Sequence, residues 1–220
     1  TGLQTFPDFH EKGMLLQTMA QWAWHTTPDA HNYQLSDAFN LYDSHGRMVP
    51  YPSGDESGGN GENSPVSHWL NSNPHKLDLG RIGLLMPQRG NQAAKIEDVA
   101  DTRQELDLWQ GVLSSRFSLA GRPVLVETAA HPTLDALAVR VTSPLIRDGQ
   151  LGARLDFSYA IPDWLHASDW DQPGKHTTDV KVEQREYHFA RQIDGTPCYS
   201  ARVAISPGAV WHASDLGNEI

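Results

Sequence analysis

Short apolar and polar alternations, each ended by a turn-forming residue, dominate the middle of the chain. Residues 111–119, 124–130 and 134–141 form three such runs, and Leu151 to Tyr159 forms a fourth. Strands of roughly six to nine residues, separated by Gly, Pro or Asp, are typical of antiparallel sheets in a sandwich. A parallel sheet would need helical crossovers, and the spacing leaves no room for them.

Two hairpins are predicted outside this region. His45-Gly46-Arg47 reads as a tight turn between residues 41–43 and 48–49. Near the end of the chain, Glu186 to Ile193 and Cys198 to Ile205 flank a turn at residues 194–197.

Helical signals are few and short. Ser64 and Pro65 suit the N-cap and first position of a helix through Leu70, which Asn73-Pro74 would end. Ser36 is a candidate N-cap for one further turn of helix. Residues 14–24 fit neither period, so a short helix and an irregular strand both stay open.

Three stretches have the composition of loops. Residues 52–65 consist almost wholly of turn formers, residues 87–100 carry Pro and Gly, and residues 161–180 form a second long loop. The predicted fold class is therefore mainly β, with antiparallel sheets and a few short helices. Residues 1–220 are interpreted as one domain, incomplete because Thr1 to Phe6 already alternates like a strand.

Charge excludes several partner classes. The chain has 17 Lys and Arg against 27 Asp and Glu, a formal net charge of -10, and no basic cluster. We therefore expect no nucleic-acid partner. No apolar run approaches the roughly 20 residues that span a bilayer, so no membrane partner is expected either.

The single cysteine, Cys198, permits no internal disulfide and is predicted to be a half-buried strand residue. Because a chain without disulfides suits either redox environment, the compartment stays open. A periplasmic or extracellular location is preferred over a cytoplasmic one.

Aromatic residues and histidines are plentiful, with seven Trp, six Tyr and eleven His. A sugar offers C–H faces for stacking and hydroxyls for hydrogen bonds, and these rings provide both contacts. Carbohydrate is therefore the expected ligand, although the same rings are ordinary core material.

Trp22, Trp24 and His25 form the first candidate site. In an extended chain the two indoles share one face and His25 lies on the other. Core packing of the two rings and a stacking platform with His25 as hydrogen-bonding partner are both open.

The loop at residues 161–180 is the second candidate, through Trp164, Trp170 and His176. Asp163, Asp169 and Asp171 in this loop are the best local carboxylates for a glycosidase, but acidic loop residues are usually solvated turn formers. We expect sugar contacts here and no catalysis.

Other chemistries have no support in the sequence. No His spacing typical of a helical zinc site and no nucleophile elbow occurs, so no metal and no cofactor is predicted. His131-Pro132 reads as a structural turn. A mutarotase-like activity would need His131, His176 and Glu127 around one pocket, and no pattern brings them together.

Five segments have distinctive amino-acid sequences. They are Thr1-Gly2-Leu3-Gln4-Thr5-Phe6, Gln21-Trp22-Ala23-Trp24-His25, residues 45–51, residues 73–83 and Leu106-Asp107-Leu108-Trp109-Gln110-Gly111. Together they resemble the N-terminal region of proteins similar to glycoside hydrolase family 65, in the six-hairpin glycosidase group. The resemblance runs from the first residue to about residue 180.

This resemblance implies a galactose mutarotase-like β-supersandwich that precedes an (α/α)6 barrel. The catalytic acid and base would belong to the barrel, so no catalytic residue is carried over to this chain. The implied function is a non-catalytic domain of a glycoside hydrolase or phosphorylase that supports the barrel and lends loops to its sugar site. An autonomous carbohydrate-binding module and a mutarotase-like epimerase are the alternatives.

Overall fold

The computed structural model describes residues 22–52, 65–85, 96–162 and 168–209. Every strand pair in these ranges is antiparallel. Residues in strands far outnumber residues in helices. This confirms the predicted mainly β, antiparallel class.

The strands of the described ranges follow one another closely along the chain. In chain order they are β1 (Trp24–His25), β2 (Phe39–Ser44), β3 (Arg47–Pro52), β4 (His75–Lys76), β5 (Arg81–Leu85), β6 (Val99–Asp107), β7 (Val112–Leu119), β8 (Arg122–Ala130), β9 (Leu137–Thr142), β10 (Gly152–Asp156), β11 (Tyr159–Ala160), β12 (Ser168–Asp169), β13 (His176–Glu183), β14 (Glu186–Ile193) and β15 (Thr196–Ala204).

The helices in the described ranges are short. They are α1 (Pro65–Ser72), α2 (Pro144–Arg147) and the 3-10 helices Leu35–Ala38, Ile96–Asp98 and Pro173–Lys175.

The chain divides into two compact units. In the described residues, the first unit comprises 80–85 and 96–157, and the second comprises 22–52, 65–79, 158–162 and 168–209.

The first unit holds the sheet β6-β7-β8-β9 and the pair β5–β10. Its core joins side chains from both sheets and from α2, which is the arrangement of a β-sandwich. The buried members are Leu84, Phe117, Leu119, Val124, Val126, Leu145 and Leu151.

The second unit holds the sheet β13-β14-β15 and the pairs β1–β4, β2–β3 and β11–β12. Its buried core consists of Ala23, Leu77, Tyr159, Ala160 and Ile193. These residues come from segments that lie far apart in sequence, so the core closes only when those segments meet.

Three hairpins share one turn chemistry. His45-Gly46, Ala120-Gly121 and Asp194-Gly195 each have positive φ at both residues, as a two-residue type I′ turn requires. The hairpins predicted around His45 and Asp194 are therefore confirmed, although the second turn spans residues 194–195 and not 194–197.

Several boundaries differ from the sequence prediction. Gln34, and not Ser36, precedes the 3-10 helix Leu35–Ala38. Strand β6 begins at Val99 inside the predicted loop 87–100, and β13 begins at His176 inside the predicted loop 161–180. Both strands have mostly polar, exposed residues, so their pairing with β7 and β14 is what makes them strands.

Helix α1 confirms the predicted helix, whereas its candidate N-cap Ser64 lies outside the described residues. Residues 1–21 and 53–64 also lie outside them, and so do the predictions for residues 14–21 and most of the first loop. Cys198 lies half-buried on β15 as predicted, and burial raises the pKa of its thiol.

Candidate functional site

A groove of about 440 Å3 lies within the second unit. Three aromatic rings line it, those of Tyr33, Trp69 and Tyr159, and we call it the aromatic groove. The polar side chains along it are Thr27, His31, His68, Ser72, Asn73, Asp169 and Lys175.

The first wall of the groove is a short loop tied to helix α1. Trp69 donates its indole Nε1–H to the backbone oxygen of Thr27 over 3.1 Å. Asn73 joins the same two segments, because it accepts from the Thr27 amide at 2.8 Å and donates to the Trp69 carbonyl at 2.8 Å. These bonds hold the Trp69 ring in one place before any ligand arrives.

Tyr33 and His31 extend this wall. The Tyr33 ring lies 6.2 Å from Trp69 and 5.3 Å from His31, centroid to centroid. The carboxylate of Asp29 accepts from the backbone amides of both His31 and Tyr33, at 3.0 and 2.7 Å. The sequence Asp29 to Tyr33 therefore shapes its own loop, as Asp does in turns.

Tyr159 on β11 also lines the groove, and its side chain is largely buried. Its cross-strand neighbour on β12 is Asp169, and the Lys175 ammonium lies 5.1 Å from its ring centroid. Burial and the hydrogen bond to Asp194 raise the pKa of the Tyr159 phenol, so it stays protonated and donates to Asp194 Oδ2 over 2.9 Å.

Behind Tyr159 lies a chain of polar contacts. Nε2 of His25 lies 3.0 Å from Oδ2 of Asp194, and Nδ1 of His25 lies 3.1 Å from Nε2 of His75. The His25 ring also meets Tyr159 edge-on, with 5.7 Å between centroids.

Burial, and next the nearby charge of His25, lower the pKa of His75. His75 Nδ1 lies 3.2 Å from the Ser72 carbonyl.

The predicted pair Trp22 and Trp24 has the expected facing. The two indoles are 50% and 49% exposed, whereas Ala23 and His25 between and after them are buried. The Lys76 ammonium lies 5.6 Å from the Trp24 ring centroid. Neither indole is core material, and both lie on the outer face of β1.

The second predicted cluster is only partly assembled. Trp164 and Asp163 lie outside the described residues, and Trp170 is half-buried. His176 is buried and accepts at Nδ1 from Arg191 over 2.9 Å. It does not belong to the groove lining, whereas Asp169 from the same segment does.

Sequence reasoning missed two important groove residues, Trp69 and Tyr159. Trp69 was assigned only to a helix and Tyr159 only to the end of a strand. The available signal was weak: His68 and Trp69 follow each other on a short helix that Asn73-Pro74 ends.

A second cavity, of about 820 Å3, lies in the first unit. Its one aromatic lining residue is Phe117, which is a core residue. Aliphatic side chains, prolines and the arginines Arg116 and Arg147 provide most of the rest, so this cavity offers no ring for stacking.

Residues considered for other chemistries have structural partners. His131 accepts at Nδ1 from the amides of Thr133 and Leu134, which confirms a structural turn, and Glu127 pairs with Arg140 at 2.6 Å. Within the described ranges, no three His, Cys, Asp or Glu side chains are grouped to hold a metal ion.

No protein-family model matches the chain, and no curated protein matches it in sequence. The fold and the groove therefore define its class: a mainly β, sandwich-like protein with an aromatic groove in its second unit. In the part of the chain that the structure describes, no helix is long and apolar enough to cross a membrane.

Proposed function

We propose that this chain binds carbohydrate in the aromatic groove. The observation that carries the proposal is that the partly exposed rings of Tyr33 and Trp69 line one groove together with Tyr159. Aromatic faces stack on the C–H face of a pyranose, and the polar groups between them can bind its hydroxyls.

The preorganised state of the groove supports this proposal. The Trp69 indole and the Asp29 to Tyr33 loop already have their hydrogen bonds in the free protein. Binding therefore loses little side-chain or loop entropy. A small entropy loss matters for sugars, because they are well solvated and bind weakly.

Trp22 and Trp24 would extend the sugar-binding surface on β1. Their half-exposed rings lie on the face opposite His25 and suit a longer chain of sugar units. This keeps the predicted sugar-contact role for both indoles, and for Trp164 and Trp170, as part of the proposal.

The larger assembly in the proposal is a glycoside hydrolase or phosphorylase. On the resemblance in five sequence segments, the chain would be a non-catalytic, galactose mutarotase-like domain beside a C-terminal (α/α)6 barrel of the same protein. An autonomous binding module is the alternative. A coding sequence that continues past Ile220 into a series of paired helices favours the domain, and a stop codon there favours the module.

Calorimetric titration with a panel of neutral α-linked disaccharides and oligosaccharides tests the binding proposal. We expect Trp69→Ala to weaken the affinity for a bound sugar about tenfold or more, equal to ~1.4 kcal/mol, because the stacking ring is gone. Trp69→Phe should keep most of the affinity, because it keeps an aromatic face.

Trp109→Ala is the matched control, because this indole is 96% exposed in the first unit and lies outside the groove. Absence of binding across the panel would refute the proposal. An affinity that Trp69→Ala leaves unchanged in a folded protein would move the binding site elsewhere.

A further inference from the structure

The contacts behind Tyr159 form one linear chain with an acceptor at each end. In order, it joins the Ser72 carbonyl, His75, His25 and the Asp194 carboxylate, with heavy-atom distances of 3.2, 3.1 and 3.0 Å. His25 uses its two ring nitrogens on opposite sides, so the nitrogens do not converge on a common point as metal ligands would.

The two ends of this series fix how many protons it holds. A carbonyl and a carboxylate cannot donate, so His75 Nδ1 and His25 Nε2 must each carry a proton. The contact between the rings needs one proton more. Three protons on four ring nitrogens are one more than two neutral imidazoles hold, so the pair carries one positive charge.

The extra proton belongs on the imidazole pair and not on Asp194. An ordinary carboxyl group is more acidic than an imidazolium by roughly 2.5 pH units, so the carboxylate stays ionised. Tyr159 also donates to the same carboxylate oxygen, which stabilises the negative charge.

The elements next to the pair also carry other charged and titratable groups. They are Lys76 beside His75 on β4, His68 on α1, Asp169 on β12 across from Tyr159, Lys175 on the 3-10 helix and Cys198 on β15. Of these elements, β12 adds a negative charge and β4 and the 3-10 helix add positive ones. Asp194 is the carboxylate in direct contact, at 3.0 Å.

The position of Asp194 makes it a link between the charged pair and the groove. Its backbone amide donates to the Lys175 carbonyl at 2.8 Å, and its side chain receives both His25 and Tyr159. Tyr159 lines the aromatic groove.

We propose that His25 and His75 together hold one proton beyond those of a neutral pair, and that this charged pair with Asp194 positions Tyr159, so that ligand binding in the aromatic groove is linked to that proton. The link to ligand binding rests on the proposed function. The proton count does not depend on it.

Long-range nitrogen–proton NMR on the labelled full chain counts the protonated ring nitrogens directly. Within the range where histidines titrate, roughly pH 5 to 8, we expect three protonated nitrogens and one bare nitrogen for His25 and His75. Two protonated nitrogens throughout this range, or a direct step from two to four, would overturn the proposal.

Asp194→Asn is the informative variant. The turn residue Asp194 has a φ of 49°, a conformation that Asn also adopts readily. An amide can donate to His25 where the carboxylate only accepts, so the count should fall from three protonated nitrogens to two. A count that stays at three in the folded variant would contradict the role of Asp194.

Asp179→Asn removes one charge from an exposed position on β13 and should leave the count at three. A fall to two in this control as well would show that total charge, and not contact with Asp194, sets the proton count. That result would also overturn the proposal.

Sugar affinity as a function of pH gives the second readout. We expect affinity to fall several-fold as the pair loses its extra proton, and this step to vanish in Asp194→Asn. Both proteins contain the groove residues His31 and His68, so the difference between the two profiles isolates the pair. Binding with identical profiles would overturn the link, whereas no binding at all would refute the proposed function and leave the proton count to decide the network.

Discussion

Arg191 on β14 is 1% exposed, and it shows how single residues organise the second unit. Its guanidinium donates to the Ser158 carbonyl at 3.1 Å and to His176 Nδ1 at 2.9 Å, and both acceptors are buried. It also donates to Thr178 Oγ1 at 2.6 Å. Burial lowers the pKa of Arg191, but a guanidinium remains charged in proteins.

We expect Arg191→Met to lower the free energy of unfolding by about 2–5 kcal/mol, because two buried acceptors lose their donor. Arg191→Lys should lower the free energy of unfolding by a smaller amount than Arg191→Met. An ammonium keeps the charge, but it cannot reach both acceptors as a planar guanidinium does. Urea unfolding measures both values.

The matched control is Arg202→Met on the neighbouring strand β15, where the side chain is 65% exposed and lies 3.6 Å from Glu186. Its effect should stay within about 0.5 kcal/mol. Equal losses for the two arginines would show that the buried hydrogen bonds of Arg191 contribute nothing.

At the scale of elements, a close approach between the backbone at Gly80 and residues 156–157 determines how β5 begins. Gly80 has a φ of +129°, which residues with a side chain rarely adopt. A Cβ there would lie 2.9 Å from the Asp156 carbonyl oxygen and 3.0 Å from the Phe157 ring. The absence of a side chain lets the backbone before β5 lie directly against the end of β10.

Gly80→Ala should therefore destabilise the first unit by about 1–3 kcal/mol, through backbone strain together with the steric clash. Gly152→Ala on β10 is the control, because its Cβ would meet Leu85 at an ordinary 3.8 Å. Thermal unfolding compares the two, and equal melting temperatures would contradict the argument.

At the scale of the whole molecule, part of the pH dependence of stability follows from the half-buried His75. The pKa of His75 in the folded chain lies below its ordinary value of 6.5. Below pH 6.5 the unfolded chain therefore binds a proton that folded His75 does not. The free energy of unfolding must then fall as the pH falls below 6.5.

One proton gives a slope of at most about 1.4 kcal/mol per pH unit. We expect His75→Asn to remove this part of the acid slope, measured by urea unfolding followed through the backbone amide signals of β14. His45→Asn, at an exposed turn position, should retain the slope. An unchanged slope in His75→Asn would refute the prediction.

Much of the fold could be predicted because its signals are local. Strands β7, β8, β14 and β15 are short runs separated by turn-forming residues, and the turns Asp194-Gly195 and His45-Gly46 have the residues that positive φ favours. Strand β13 could not be predicted, because Thr177 to Glu183 is largely polar and becomes a strand only by pairing with β14.

The candidate site divides in the same way. The sequence alone determined that Trp22 and Trp24 would share a face opposite His25, because side chains alternate along an extended chain. Only the tertiary structure decided that Trp69 and Tyr159 would line one groove, and that His25 would meet His75, 50 residues away, and Asp194, 169 residues away. Local patterns specify which way a residue points, whereas contacts between distant residues depend on how the strands pair and how the core closes, and no short stretch of sequence contains that information.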